Sequence, residues 1–198
     1  CKNNHKVIGF DLKPSKDQYK LKNFKFIKCN LINLKLIKKK LLKIKKADLI
    51  IHSAAIQPSS SEIDTNKYFD TNVKGTMNIL ILAKKLKVRK IIFSSSFSVY
   101  GTNCKNPIDE NVQTMPQNFY GLTKILSEKL LEFYSNKENI NIIILRFDGI
   151  YGKGQNLPGM INYFKNKMLK NEKIKIFNGG KLKRNQVFIN DAVQSIIL

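Results

Sequence analysis

Tyr120 and Lys124 stand four residues apart in the segment FYGLTK, and three consecutive hydroxyl side chains, Ser94, Ser95 and Ser96, precede them in KIIFSSSFSVYG. A phenol ionises near pH 10, so a tyrosine is a poor base at neutral pH unless something stabilises its anion. The spacing predicts a helix over 118–136, on which Lys124 shares a face with Tyr120 and its charge favours the phenolate. Bringing that ionisation down to about pH 7 takes roughly 4 kcal/mol of preferential phenolate stabilisation, more than one exposed charge supplies. A second cation is therefore expected beside the pair. The positively charged ring of an oxidised nicotinamide would serve, which ties the pair to dinucleotide chemistry rather than to hydrolysis.

The elements that must position these groups follow from periodicity. Short apolar runs alternate with longer amphipathic ones, the pattern of a parallel sheet covered by helices. Strands are expected over 6–11, 24–29, 48–53, 90–94 and 141–147, and helices over 32–46, 66–86 and 118–136. Beyond Tyr151 the character changes to a Gly- and Pro-bearing loop, a helix near 160–170, a strand at 173–177 and a last helix after Asn190. The fold class is α/β.

An apolar strand ending in small hydroxyl residues, then Val99-Tyr100-Gly101, then a loop and the Tyr–Lys pair, is an order that resembles the extended short-chain dehydrogenase/reductase family. The branch it is most similar to is that of the nucleotide-sugar epimerases and dehydratases. The resemblance also rests on Gly9-Phe10-Asp11, His52-Ser53-Ala54-Ala55, Asn72-Val73-Lys74-Gly75-Thr76, Leu145-Arg146, Tyr151-Gly152 and Arg184. It implies a Rossmann-like doubly wound parallel sheet over residues 1–152 and part of a substrate-binding region, with a return to the first domain, over 153–198. A dinucleotide fold opens with a strand and a glycine-rich turn that meets the pyrophosphate. This sequence starts where the family's second strand would be, so it reads as an internal fragment of a longer enzyme with a gap in its sheet.

The resemblance assigns Ser96, Tyr120 and Lys124 as catalytic. Asp11, Asn30, Ser53, Ala54, Ala55, Asn72 and Ser94 join Tyr120 and Lys124 around the cofactor. Ser96, Tyr120 and Arg184 meet the substrate, Arg184 by pairing with its diphosphate through a guanidinium fork. Asp11 at a strand end can accept hydrogen bonds from ribose hydroxyls and repels a 2′-phosphate, favouring NAD over NADP, a preference that Lys13 softens. Asn30 stands where the family often has an aspartate, and its amide oxygen can accept from the adenine amine. Asn72 braces the active-site strand, and His52 is a packing residue. The 4,6-dehydratases place an acidic pair directly after the catalytic hydroxyl, where this chain has Phe97 and Ser98, which argues against elimination of water. Gly149 replaces an asparagine of the family's Arg146–Gly152 segment.

The implied activity is that of an NAD-dependent, UDP-glucose 4-epimerase-like enzyme acting on a nucleotide sugar. An NAD(P)-dependent reductase or dehydrogenase of a sugar nucleotide or other carbonyl compound uses the same three residues. From another class, a non-catalytic dinucleotide-sensing module keeps the fold, although the intact Ser96, Tyr120 and Lys124 count against it. Family enzymes often pair as homodimers through the helices that hold Asn72 and Tyr120.

Composition narrows the partners. Thirty-six Lys and Arg against fourteen Asp and Glu give a net charge of +22, which on its face suggests a polyanion. Between Ile32 and Lys46, however, Leu34, Ile37, Leu41 and Ile44 recur at helical spacing with lysines between them, the pattern of a solvated helix face. Lysines are spread along the whole chain among many Asn and Ile, as an AT-rich coding bias produces, so no specific nucleic-acid partner is expected. Cys1, Cys29 and Cys104 are odd in number and lack metal-ligand spacing, so a reducing cytoplasm fits and no metal is expected. The sequence has no apolar run of membrane-spanning length and no signal-peptide anatomy.

Overall fold

The computed structural model describes residues 5–14, 22–42, 44–58, 64–101, 107–155, 159–176, 178–180 and 185–197. Arg184, Cys1 and Cys104 lie outside the described residues. Five parallel strands form the frame: β1 (Val7–Asp11) pairs with β2 (Phe24–Lys28), and β3 (Leu49–His52), β4 (Lys90–Ser96) and β5 (Asn141–Phe147) pair in that order. The β1–β2 pair and the three-stranded sheet are not hydrogen-bonded to one another. Val7 and Ile8 on β1 and Leu49 and Ile51 on β3 are exposed. A central parallel strand is covered on both faces and therefore reads as a near-continuous apolar run; Ile91, Ile92 and Phe93 of β4 are buried accordingly.

Helix α1 (Leu34–Lys40) connects β2 to β3; α2 (Thr65–Tyr68), a π-helical stretch Phe69–Lys74 and α3 (Gly75–Lys85) follow one another between β3 and β4. Helix α4 (Phe119–Glu138) connects β4 to β5. Its ends are written in the sequence: the Asn118 side chain accepts from the Gly121 N–H at 2.7 Å, and Asn139 takes the left-handed conformation after the last turn. One apolar core joins Cys29, Ile37 and Leu41 to Leu80, Leu82, Leu86, Ile91, Phe93 and Leu131, so both sheets share it. Burial pushes the Cys29 thiol up.

Beyond the main frame, β6 (Ile150–Tyr151) pairs with β7 (Val187–Phe188), and α5 (Met160–Leu169) and α6 (Ile189–Ile197) complete the chain. No helix among the described residues is long and apolar enough to cross a membrane.

Three expectations from periodicity are corrected. The helix expected over 32–46 stops at Lys40, because the chain turns through Leu41 to bring the Ala47 N–H onto the Leu86 carbonyl at 3.2 Å. Of the strand expected over 173–177, residues 173–176 form none despite the alternation in KIKI, and Phe177 lies outside the described residues; among the described residues no neighbouring strand pairs with them, Ile176 is exposed, and the Lys175 N–H donates to the Tyr163 hydroxyl at 3.3 Å. The helix expected over 66–86 is interrupted by the wider π turn at Phe69–Lys74. The serine run, expected to end an apolar strand, is the end of β4, which runs to Ser96.

Candidate active site

In parallel strands the register decides which side chains share a face. His52 pairs with Phe93, so Ser53 lies beside Ser94 just past the end of β3, and their hydroxyls are 2.8 Å apart. Ser96 pairs with Phe147 at the carboxyl edge of the sheet. With Ser53 and Ala54 exposed and Ala55 half-buried, this edge is a shelf of small side chains, which lets a flat ligand approach the backbone.

Helix α4 lies against this shelf. Gly121 makes the approach possible: a Cβ built there would sit 2.5 Å from the Ser98 carbonyl oxygen and 3.0 Å from Pro116 Cβ. Helix propensity alone says that Gly121→Ala should stabilise α4 by about 1 kcal/mol. The clash with a backbone oxygen has the opposite sign and costs roughly 1–3 kcal/mol as overpacking. Gly121→Ala is therefore expected to lower the urea midpoint, and the displaced first turn to lower kcat by about tenfold or more. A stabilised, fully active variant would show that the helix does not need this approach.

Tyr120, Lys124 and Ser96 come together at this contact. Lys124 is buried, with 3% of its surface exposed, and its ammonium donates to the Ser94 carbonyl at 2.7 Å. The same nitrogen is 4.8 Å from the centre of the Phe93 ring and 5.7 Å from that of Tyr120. Burial lowers the Lys124 ammonium to about 8, against the pull of the Glu128 carboxylate. Burial raises the Tyr120 phenol above its ordinary value, and a hydrogen bond with Ser96 opposes that shift only in part. The protein's own groups thus leave the phenol protonated. That matches the need for a second cation inferred from the pair itself.

Asn72 explains the π turn. Its side-chain oxygen accepts from the Ile56 N–H at 2.8 Å, and its amide nitrogen donates to the Ile56 carbonyl at 3.2 Å and to Thr123 Oγ1 at 3.0 Å. Its own carbonyl accepts from the hydroxyls of Thr76 at 2.5 Å and Ser127 at 3.0 Å. One residue therefore clamps the loop after Ser53-Ala54-Ala55 to both α3 and α4. π-helical turns recur where a backbone must serve such a local purpose. His52 is buried against the same cluster, 2.9 Å from Thr76 Oγ1. Since the Thr76 proton goes to Asn72, His52 Nε2 must carry a hydrogen and donate. Burial, with the Lys124 charge, lowers His52 to about 3, so it is a neutral packing group.

The other assigned residues sit at strand ends. The exposed Asp11 accepts from the N–H groups of Leu12 at 2.6 Å and Lys13 at 3.3 Å. Asn30 Oδ1 accepts from the Ile32 N–H at 3.0 Å and closes a turn. Asn78 on α3 donates to the carbonyls of Leu31 and Ile32, so the ends of β2 and β3 are both tied to the α2–α3 segment. Arg146, at the start of the Arg146–Gly152 segment, turns inward onto Glu128. Glu128 is a residue that the motif reading passed over. Its signal was present, since Tyr120, Lys124 and Glu128 recur every four residues and share one helix face.

Parallel strands whose carboxyl ends form a shelf of small side chains, with a Ser–Tyr–Lys group at the edge, define a Rossmann-like dinucleotide-binding fold. The sequence profile described as the NAD dependent epimerase/dehydratase family matches residues 1–198. The chain belongs to that family. It is 34% identical over 162 residues to a putative UDP-glucose 4-epimerase of Methanocaldococcus jannaschii, covering 79% of this chain and 53% of the relative. It is 30% identical over 205 residues to an uncharacterized UDP-glucose epimerase, YtcB, of Bacillus subtilis, covering 97% and 63% respectively. The chain thus spans between half and two-thirds of the length of these relatives. The crystal structure of UDP-glucuronic acid 4-epimerase from Bacillus cereus, in complex with UDP-glucuronic acid and NAD, superposes with a TM-score of 0.82 at 26% identity. That match covers 96% of this chain and 63% of the other.

Proposed function

We propose that the full-length protein carrying this chain is an NAD-dependent epimerase of a nucleotide sugar, UDP-glucose 4-epimerase-like in chemistry. The observation that carries the reading is the convergence of Ser96, Tyr120 and Lys124 at one strand edge. The UDP-sugar epimerases among its relatives support it. Residues 1–152 are assigned to the NAD-binding domain and 153–198 to part of the substrate-binding region.

The shelf fits a dinucleotide, since Ser53, Ala54, Ala55 and Ser94 leave it open. Asp11 and Asn30 stand at the adenosine end, Asp11 favouring NAD over NADP, and Asn72 holds the shelf's loop in place. When bound, NAD supplies the oxidising capacity that removes hydrogen from the sugar carbon and gives it back. Tyr120 accepts the proton of the sugar hydroxyl, Lys124 favours the phenolate that does so, and Ser96 hydrogen-bonds the same oxygen as it becomes a carbonyl. On return to the opposite face of that carbonyl, Tyr120 gives the proton back, and the configuration is inverted. Arg184 is assigned to the substrate diphosphate.

A second copy of the chain is assigned to the apolar groove of about 280 Å³ lined by Phe69, Val73, Leu126, Lys129 and Leu130. This groove adjoins the helices that carry Asn72 and Tyr120, so the active form is read as a homodimer in the cytoplasm.

The test is a panel of UDP-, GDP- and dTDP-sugars given to the full-length protein, followed by nicotinamide absorbance and by NMR of the sugar. Epimerised sugar without net cofactor change is the expected result. Stoichiometric cofactor turnover would make the protein a reductase or dehydrogenase instead. No turnover with retained NAD binding would favour the sensing module.

A further inference from the structure

Beside the Ser–Tyr–Lys group lies a second, largely buried cluster centred on Glu128. Ser95 and Arg146 are register partners on β4 and β5, so their side chains leave the sheet on the same side. Both end on Glu128 of α4, which is 2% exposed. The Ser95 hydroxyl donates to Glu128 Oε1. The Arg146 guanidinium donates to Oε1 through Nε at 3.2 Å and to Oε2 through an amino group at 2.8 Å. Its other amino group donates to the Tyr100 hydroxyl at 2.8 Å and to the Glu110 carbonyl at 3.3 Å. Four segments are thus tied at one carboxylate: the serine strand, the helix of Tyr120 and Lys124, the end of β5, and the loop that leads into α4.

A buried ion pair contributes little net stability compared with an apolar replacement, so stability does not explain it well. Its position does. Ser95 lies between Ser94, whose carbonyl holds Lys124, and Ser96, which bonds Tyr120. Fixing Ser95 from α4 therefore fixes both contacts at once. We infer that Glu128 is a positioning residue of the proposed reaction: it locks the Ser94–Ser96 segment to α4 and provides the counter-charge that keeps the buried Lys124 ammonium in place. This inference rests on the catalytic reading of Tyr120 and Lys124.

The charge half of the role can be read without turnover. Lys124 is faced by Tyr120 and Glu128 from α4, by the Ser94 carbonyl from β4 and by the neutral His52 from β3. Arg146 reaches this cluster from β5 through Glu128, and Tyr68 of α2 stands against Tyr120 with ring centres 6.5 Å apart. Glu128 is the carboxylate of that set. Replacing it with Gln removes attraction and leaves the Arg146 charge uncompensated, and both changes disfavour the ammonium.

The experiment uses the full-length protein labelled with 13C at lysine Cε, the Lys124 signal being assigned by its loss in Lys124→Met. Glu128→Gln is expected to lower the Lys124 titration midpoint by about half a pH unit or more. With active protein it should also lower kcat by roughly tenfold or more while KM changes little. Ser95→Ala, which cuts the tether and leaves the charge, should lower kcat and leave the midpoint where it was. An unmoved midpoint in a folded Glu128→Gln variant overturns the counter-charge role, and undiminished kcat in Ser95→Ala overturns the positioning role. If Glu128→Gln does not fold, Ser95→Ala decides the positioning role alone. A wild-type protein silent on every sugar would sink the epimerase reading, and the titration would still report on Glu128.

Discussion

Tyr120→Phe is expected to lower kcat for the sugar substrate by about 10²- to 10⁴-fold, the range that a positioned acid–base group contributes. The substitution removes one oxygen from a half-buried ring. The ring packs edge-on against Tyr68, so Phe can keep its place and KM should shift little. Lys124→Met should cause a loss of the same order, and the double variant should be scarcely worse than either single one, because groups that act as a unit are strongly non-additive. The pH dependence has a definite sign. Burial holds the phenol above its ordinary value, so kcat/KM should rise with pH as phenolate forms, until Lys124, lowered to about 8, begins to lose its proton. That rise should be absent from the residual rate of Tyr120→Phe. Activity within threefold of wild type would show that Tyr120 is a packing residue and that another group moves the proton.

The residues proposed for this chemistry were legible through their order along the chain, an apolar strand ending in small hydroxyl residues, then Val99-Tyr100-Gly101, then a loop and the Tyr–Lys pair, since the pair alone is a common spacing. Tyr120 and Lys124 fall on one face of any helix, and a serine run that ends a buried parallel strand stands at the carboxyl edge of the sheet. The parallel α/β frame was legible from apolar runs of strand length alternating with helical periodicity. What sequence reading missed was set by tertiary contacts. The end of α1 depends on a backbone hydrogen bond from Ala47 to Leu86, 39 residues away, which no local propensity reports. The π turn exists because the Asn72 carbonyl serves two hydroxyls, one of them from α4. Residues 173–176 carry strand periodicity but form no strand, because a strand needs a neighbour to pair with. Arg146 was noted only as part of the Arg146–Gly152 segment; that its partner is the protein's own Glu128 follows from the strand register, which no local pattern reports.

The same pair should dominate the stability of the domain when it is broken from one side. Arg146→Met leaves the Glu128 carboxylate buried with the Ser95 hydroxyl as its remaining side-chain donor. Stranding a buried charge in this way costs roughly 3–5 kcal/mol, a large share of the total stability of a domain of this size. Urea denaturation should show it as a lower midpoint with an unchanged slope. The double variant Arg146→Met with Glu128→Leu removes the charge that the single variant strands, so it should recover much of the loss even though it carries one more substitution. The coupling between the two sites would then be of the order of 1–3 kcal/mol. If the double variant were instead less stable than Arg146→Met by the full cost of a second core change, the pair would be contributing attraction in its own right. The recovered double variant should nevertheless remain slow, because it restores the fold while leaving Ser95 untethered and Lys124 without its counter-charge. Stability regained without activity would separate what the pair does for the sheet from what Glu128 does for the site.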